Sequence, residues 1–438
     1  MTTFSTGVVR GAGQEYFAQR FGARGAGPRE ENSEWLIDLP LEHRTVDRIS
    51  ANGAVIELQG DHVPLFQPVA AVGGAELWWA YSDGRRLTAA AIDGGSVVLG
   101  FDPWLAIGAG LLGFAMSSES ASASTVRPEQ VPWVDKFATA LAETLAAAGC
   151  NLSLRRPWPG GAPFALCLTH DVDRTTKTFQ YATHLGRKKG LRGAKRRRVP
   201  RTRPYWGFDA IRDIESGAKV RSTFFLLHEG PEAKRGLRNR ILAWGLADFM
   251  DPEVASVVRS LSDDGWEIGL HASLSSTESR LRLALEKREL ESLLGGTVNG
   301  VRQHHLRLRL PNRWEEFADA GFRYDASLGF RNAWGFRAGT AFPYCLAGSD
   351  GLLPIEEISL QIMDSTLARY DNPWGECLRA LDAVQSVGGV LTILFHQRYF
   401  DEWNFPGYAE LYEALIAEAK RRGAWVATAG EVAGAWLH

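Results

Sequence analysis

The chain has 438 residues, 45% of them apolar and 23% charged, with a formal net charge of -2. That length suits two or three domains with a large core. The near-neutral balance gives no support to a nucleic-acid or membrane protein. No apolar run reaches membrane-spanning length, and no basic segment followed by an apolar one opens the chain, so a cytoplasmic protein is expected. Cys150, Cys167, Cys345 and Cys377 form no C-x-x-C pair and read as free thiols of a reducing compartment.

In chain order, Trp35 to Asp38, Ala54 to Leu58, Glu76 to Tyr81 and Ser96 to Phe101 read as strands punctuated by Gly, Asp and Pro. Residues 117–126 are small and polar and read as a linker. Val134 to Ala148 carries a helical period. The Pro- and Gly-rich stretch from Arg155 to Pro163 marks a boundary, giving an accessory, strand-rich α/β domain over 1–158 and a second domain over 159–438.

The second domain alternates. Strands are expected at Phe164 to Thr169, Val220 to Leu227, Trp266 to His271, Val298 to His304, Tyr324 to Leu328, Leu352 to Ile358, Gly389 to Phe395 and Ala424 to Ala429. Helices fit Pro252 to Asp263, Ser276 to Leu294, Trp314 to Asp319, Pro373 to Val387 and Tyr408 to Arg422. Such alternation predicts a parallel α/β barrel, in which chemistry gathers where strands end. Asp171 and Asp173 follow the first strand, His271 ends the third, His304 and His305 the fourth, and His396 follows the seventh. In an extended chain Asp171 and Asp173 share a direction. Two carboxylates so placed repel unless a cation or a proton joins them.

These residues resemble the polysaccharide deacetylase family, the NodB-homology or carbohydrate esterase 4 type, over roughly Phe164 to Glu431. Thr169-His170-Asp171-Val172-Asp173 is similar to a D-x-D form of the family's T-F-D-D-G motif. His271-Ala272-Ser273-Leu274-Ser275 partly matches its H-x-x-x-H, Arg302-Gln303-His304-His305 stands at its R-x-P-[YF], and Leu391-Thr392-Ile393-Leu394-Phe395-His396 resembles its late L-x-x-H. Ser222-Thr223-Phe224-Phe225 and Phe322 to Leu328 resemble its second and fifth strands. The resemblance implies a distorted parallel (β/α) barrel of NodB-homology type. It also implies a hydrolase that removes an N-acetyl or other N-acyl group from an amino sugar or related amine.

By the same resemblance Asp171 is the base, Asp173 and His271 are metal ligands, His396 is the acid and Arg302 holds Asp171. A carboxylate with an imidazole suits Zn²⁺ or a similar ion. The family's second metal His falls at Ser275 in this chain. The third ligand is expected to be His304, with Ser275 and His305 as the alternatives. His305 would otherwise flank the substrate carbonyl. Two rival readings stand beside this one. The first is a metal-independent hydrolase of a cyclic amide or ureide on the same fold. The second is a non-catalytic carbohydrate-binding pseudoenzyme, for which Ser275 speaks. Arg187 to Arg203 places ten Lys or Arg in seventeen residues. That run points to an anionic, lipid-linked or nucleotide-linked substrate, or to peripheral contact with an anionic membrane. No aromatics interleave it, so nucleic acid is not expected.

Overall fold

The computed structural model describes residues 6–21, the strands lying between 46 and 99, 107–112 without 109, 128–147, 152, 154–155, 157–176, 205–229 and 245–437. The basic run Arg187 to Arg203, the expected strand Trp35 to Asp38, the linker 117–126 and Cys150 lie outside the described residues.

Helix α1 (Thr6–Phe21) precedes two antiparallel sheets. One is β1-β2-β3 (Val46–Ser50, Val55–Leu58, Asp61–Pro64). The other is β4-β5-β6-β7 (Pro68–Val69, Glu76–Ala80, Arg86–Asp93, Ser96–Leu99). Helix α2 (Trp133–Ala147) follows. Tyr16 of α1 donates to Asp135 of α2, and Asp135 accepts from Thr340 Oγ1 at 2.6 Å and from the Ala341 amide at 2.8 Å. Tyr16, Phe17, Val134, Phe137 and Leu141 belong to the same apolar cluster as the barrel strands. Gly339, at φ +70°, lies so close to Trp133 that a Cβ would stand 2.5 Å from its indole nitrogen, so only glycine fits the junction.

The barrel strands are β8 (Ala165–Val172), β9 (Thr223–Leu227), β10 (Glu267–Ala272), β11 (Gly300–Gln303), β12 (Tyr324–Asp325), β13 (Tyr344–Ala347), β14 (Leu352–Glu357), β15 (Ile362–Met363), β16 (Val390–Leu394) and β17 (Trp425–Ala427). Their order is β13-β14-β12-β11-β10-β9-β8-β16-β15, with β17 added to β8. Every pairing is parallel except β13 with β14. One length of chain makes the sheet a ring. Its first half, β14, pairs with β12, and its second half, β15, pairs with β16. Between them the Leu360 amide bonds Leu328 O at 2.9 Å, and the Gln361 amide bonds Thr392 O at 3.1 Å. The architecture is a distorted parallel (β/α) barrel.

Helices cover it where the sequence carries stop and start signals. These are α3 (Phe208–Ala218), α4 (Pro252–Asp263), α5 (Arg280–Leu294), α6 (Asn312–Asp319), the single turn α7 (Asp364–Leu367), α8 (Pro373–Val387), α9 (Tyr408–Arg421) and α10 (Ala429–Leu437). Asp251 caps α4 and Asn372 caps α8, each before a proline at the first helical position. Gly295 and Gly388 end α5 and α8 in the left-handed conformation. Among the described residues no helix is long and apolar enough to cross a membrane.

Candidate metal centre

Strand β8 is buried along its whole length, so its polar residues need partners on both sides. Alternation sends them to different places. His170 faces the helices: Nδ1 lies 2.6 Å from Phe395 O and Nε2 lies 2.9 Å from Glu215 Oε1. It is a satisfied structural histidine. Thr169 and Asp171 face the barrel axis, where Arg302 Nη1 bonds Thr169 Oγ1 at 2.9 Å and Asp171 Oδ1 at 2.8 Å. Arg302 is fully buried, also donates to Ala326 O at 2.7 Å, and lies 4.4 Å over the Phe225 ring. Burial alone would raise the Asp171 pKa, but His271, Arg302 and His396 together bring it below the usual carboxylate range. Its second oxygen, Oδ2, stands 3.6 Å from His271 Nε2.

Asp173 sits at the centre. Its Oδ1 is buried without a hydrogen bond, and it faces His271 Nε2 at 3.2 Å and His304 Nε2 at 3.9 Å. Its Oδ2 is held by Arg398 Nη1 at 3.0 Å and His396 Nε2 at 3.3 Å. Burial would raise Asp173, yet His396, His271 and Arg398 hold it well below its ordinary value.

The three histidines share one orientation. His271 Nδ1 lies 3.0 Å from the Arg302 carbonyl, which can only accept, so Nδ1 carries a proton and Nε2 is the nitrogen turned to the aspartates; burial alone would lower the ring's pKa, but Asp171 and Asp173 raise it. His304 Nδ1 meets Glu229 Oε1 at 3.0 Å, and His396 Nδ1 meets Asp364 Oδ2 at 2.9 Å. A carboxylate or carbonyl behind each ring is the usual support of a metal-binding imidazole. Asp173, His271 and His304 present ligand atoms within 4.8 Å of one another, as do Asp171, Asp173 and His396. A divalent ion fits the first set on the chemistry of its donors, one carboxylate and two imidazoles. Asp173 Oδ1, which makes no hydrogen bond and has only the two imidazole nitrogens near it, is the atom on which such an ion would sit.

His304 turns inward because the chain kinks behind it. His305 and Leu306 take φ of +60° and +52°, a conformation that side chains disfavour. His305 stays at the surface, stacked on His304 with ring centroids 4.0 Å apart. Burial and the neighbouring His304 depress its pKa to about 4. Ser275 belongs to neither ligand group. Its hydroxyl bonds Glu229 Oε2 at 3.3 Å, and the Leu274 amide bonds Glu229 Oε1 at 3.1 Å. Ser275 therefore steadies the carboxylate behind His304. Burial would raise Glu229, but His304 and the two amides of Leu274 and Ser275 lower it.

His396 is buried against Asp364, which also accepts its backbone amide. Burial lowers the His396 pKa and Arg398 opposes its charge, but Asp364 and Asp173 lift it to about 10.

The structure thus brings Asp171, Asp173, His271, Arg302, His304 and His396 into one pocket, leaves His305 on its rim, and sets Ser275 one bond behind. Sequence reasoning missed Glu229, Asp364 and Arg398. Glu229 and Asp364 follow the apolar runs of β9 and β15, the same strand-end signal that marked the others. Arg398 lies two residues past His396.

No family model matches the chain, and no curated protein does. Solved structures do. A protein from Mycobacterium smegmatis assigned as a polysaccharide deacetylase aligns at 21% identity, over 63% of this chain and 91% of that one, with a TM-score of 0.44. An allantoinase aligns at 16% identity over 65% and 94%, with a TM-score of 0.44. A CE4 family pseudoenzyme from Bacillus anthracis aligns at 14% identity over 61% and 65%, with a TM-score of 0.33. The chain is similar in fold to these proteins. The barrel assignment itself rests on the strand order described above.

Proposed function

We propose that this chain is a divergent member of the polysaccharide deacetylase family and hydrolyses an N-acyl bond of an amino sugar or related amine, in the cytoplasm, with Zn²⁺ held by Asp173, His271 and His304. The observation that carries the reading is the buried Asp173 Oδ1, without a hydrogen bond, facing two imidazole nitrogens whose opposite nitrogens are already tied. A zinc ion there supplies Lewis acidity toward a carbonyl and acidifies a water. The protein supplies the proton handling. Arg302 holds Asp171 ionised and leaves Oδ2 free to take a proton from the attacking water. His396, protonated and fixed by Asp364, can hand its Nε2 proton to the departing amine. Free thiols at Cys167, Cys345 and Cys377 suit a reducing compartment. The basic run Arg187 to Arg203 supports an anionic or lipid-linked substrate, or contact with an anionic membrane.

The test is metal analysis of the purified protein. One zinc per chain is expected, with Asp173→Ala and His271→Ala each losing it. Full amidase activity in a preparation free of metal would overturn the reading. One observation favours the metal-independent alternative, hydrolysis of a cyclic amide: Arg398 and His396 already neutralise Asp173 without an ion. Activity that survives a strong chelator would favour it.

A further inference from the structure

The pocket over the metal ligands is a cavity of about 190 Å³ with two unlike walls. Leu306, Met363 and Leu394 make one of them apolar. Arg331 and Arg398 stand on its cationic side. The carboxylates that line the cavity are both spoken for. Asp171 is matched by Arg302, and Asp173 by Arg398 and His396. Arg331 is exposed and makes no hydrogen bond or ion pair among the described residues. A divalent ion on Asp173 would add further positive charge to the same small volume. A cavity with such an excess raises the local concentration of anions and orients them.

We propose that Arg331, with the cavity-facing part of Arg398, forms an anion subsite beside the reacting bond. The substrate is then an N-acyl compound that carries an acid group within a few atoms of its amide nitrogen. Arg331, with no carboxylate partner among the described residues, can bind such a group through paired N–H donors, while Arg398 keeps its bond to Asp173. The proposal rests on the amidase reading only for where the amide lies.

The test uses the zinc-loaded full-length protein and two probes that differ by one charge, N-acetylglycine and its neutral amide, N-acetylglycinamide. Calorimetry should show the acid binding roughly tenfold more tightly than the amide, as expected for one partly exposed charge-assisted contact. In Arg331→Gln the gap should close to within about twofold, with one zinc per chain retained. Equal binding of both probes to the wild type, or no binding of the acid, would overturn the subsite. So would a gap that persists in Arg331→Gln, which would assign the carboxylate to the metal alone. If the protein takes up no zinc, the metal-dependent reading fails. The same comparison in the metal-free chain then decides the subsite separately.

Discussion

Replacing Glu229 by Gln removes one negative charge from behind His304 and leaves the side chain almost the same shape. In the native arrangement Oε1 accepts from His304 Nδ1 at 3.0 Å and from the Leu274 amide at 3.1 Å, while Oε2 accepts from Ser275 at 3.3 Å. A glutamine can keep one acceptor toward Leu274 and His304 and turn its NH₂ to the Ser275 oxygen. Packing is therefore conserved, and what is lost is the bond from the Ser275 amide and the negative charge behind His304 Nδ1. Losing such a supporting carboxylate weakens metal binding by about 10–100-fold, or about 1.4–2.7 kcal/mol. The assay is zinc competition against a chromophoric chelator, with circular dichroism to show that the fold is intact. A variant that binds zinc as tightly as the wild type would refute the assignment of His304 as the third ligand. A stronger ion site in Ser275→His would point the same way, because an imidazole at 275 also displaces the hydroxyl that steadies Glu229. We expect that variant to bind zinc more weakly than the wild type.

Three further outcomes follow from burial and charge. Arg302→Met should cost about 3–5 kcal/mol of stability in urea unfolding, because it strands the buried Asp171 carboxylate; a change under about 1 kcal/mol would mean that the pair is not desolvated. Glu356 is buried with neither carboxylate oxygen hydrogen-bonded, and burial raises its pKa to about 8. An acid held above its unfolded value weakens the fold as pH rises from about 4.5 to 8. Glu356→Gln should thus stabilise the protein by a few kcal/mol at pH 8.5 and by little at pH 4.5, and a thermal shift equal at both pH values would refute this. Asp135→Ala leaves the Ala341 amide and the Thr340 hydroxyl without their acceptor, so a loss of about 2–3 kcal/mol is expected, with α1 more open to proteolysis than in the wild type.

Much of the barrel was legible because its signals are local. Asp251-Pro252 and Asn372-Pro373 announce helix starts, and the observed α4 and α8 run over the expected residues. Helix α3 escaped notice because its buried stripe includes a charge. Glu215 lies among Phe208 and Ile211, and only the fold reveals that His170, Trp266 and Tyr412 satisfy it. Strand β8 runs on to Val172, past the expected end at Thr169, because Thr169, His170 and Asp171 each find a buried partner. A hydropathy pattern cannot register such partners. The site divides along the same line. Residues at the ends of apolar runs could be picked out one by one. The partnership of Glu229 with His304 spans 75 positions, and that of Arg398 with Asp173 spans 225, so neither leaves a trace in spacing.

The stretch from Leu352 to Met363 that closes the ring runs directly into Asp364, which sets the charge of His396. Completion of the cylinder and delivery of the counter-ion of His396 are therefore a single event. On the proposed mechanism, a nascent or partly opened molecule, even one with Asp171, Asp173, His271 and His304 assembled, would lack a competent proton donor. Damage to that seam should silence the protein before it unravels it.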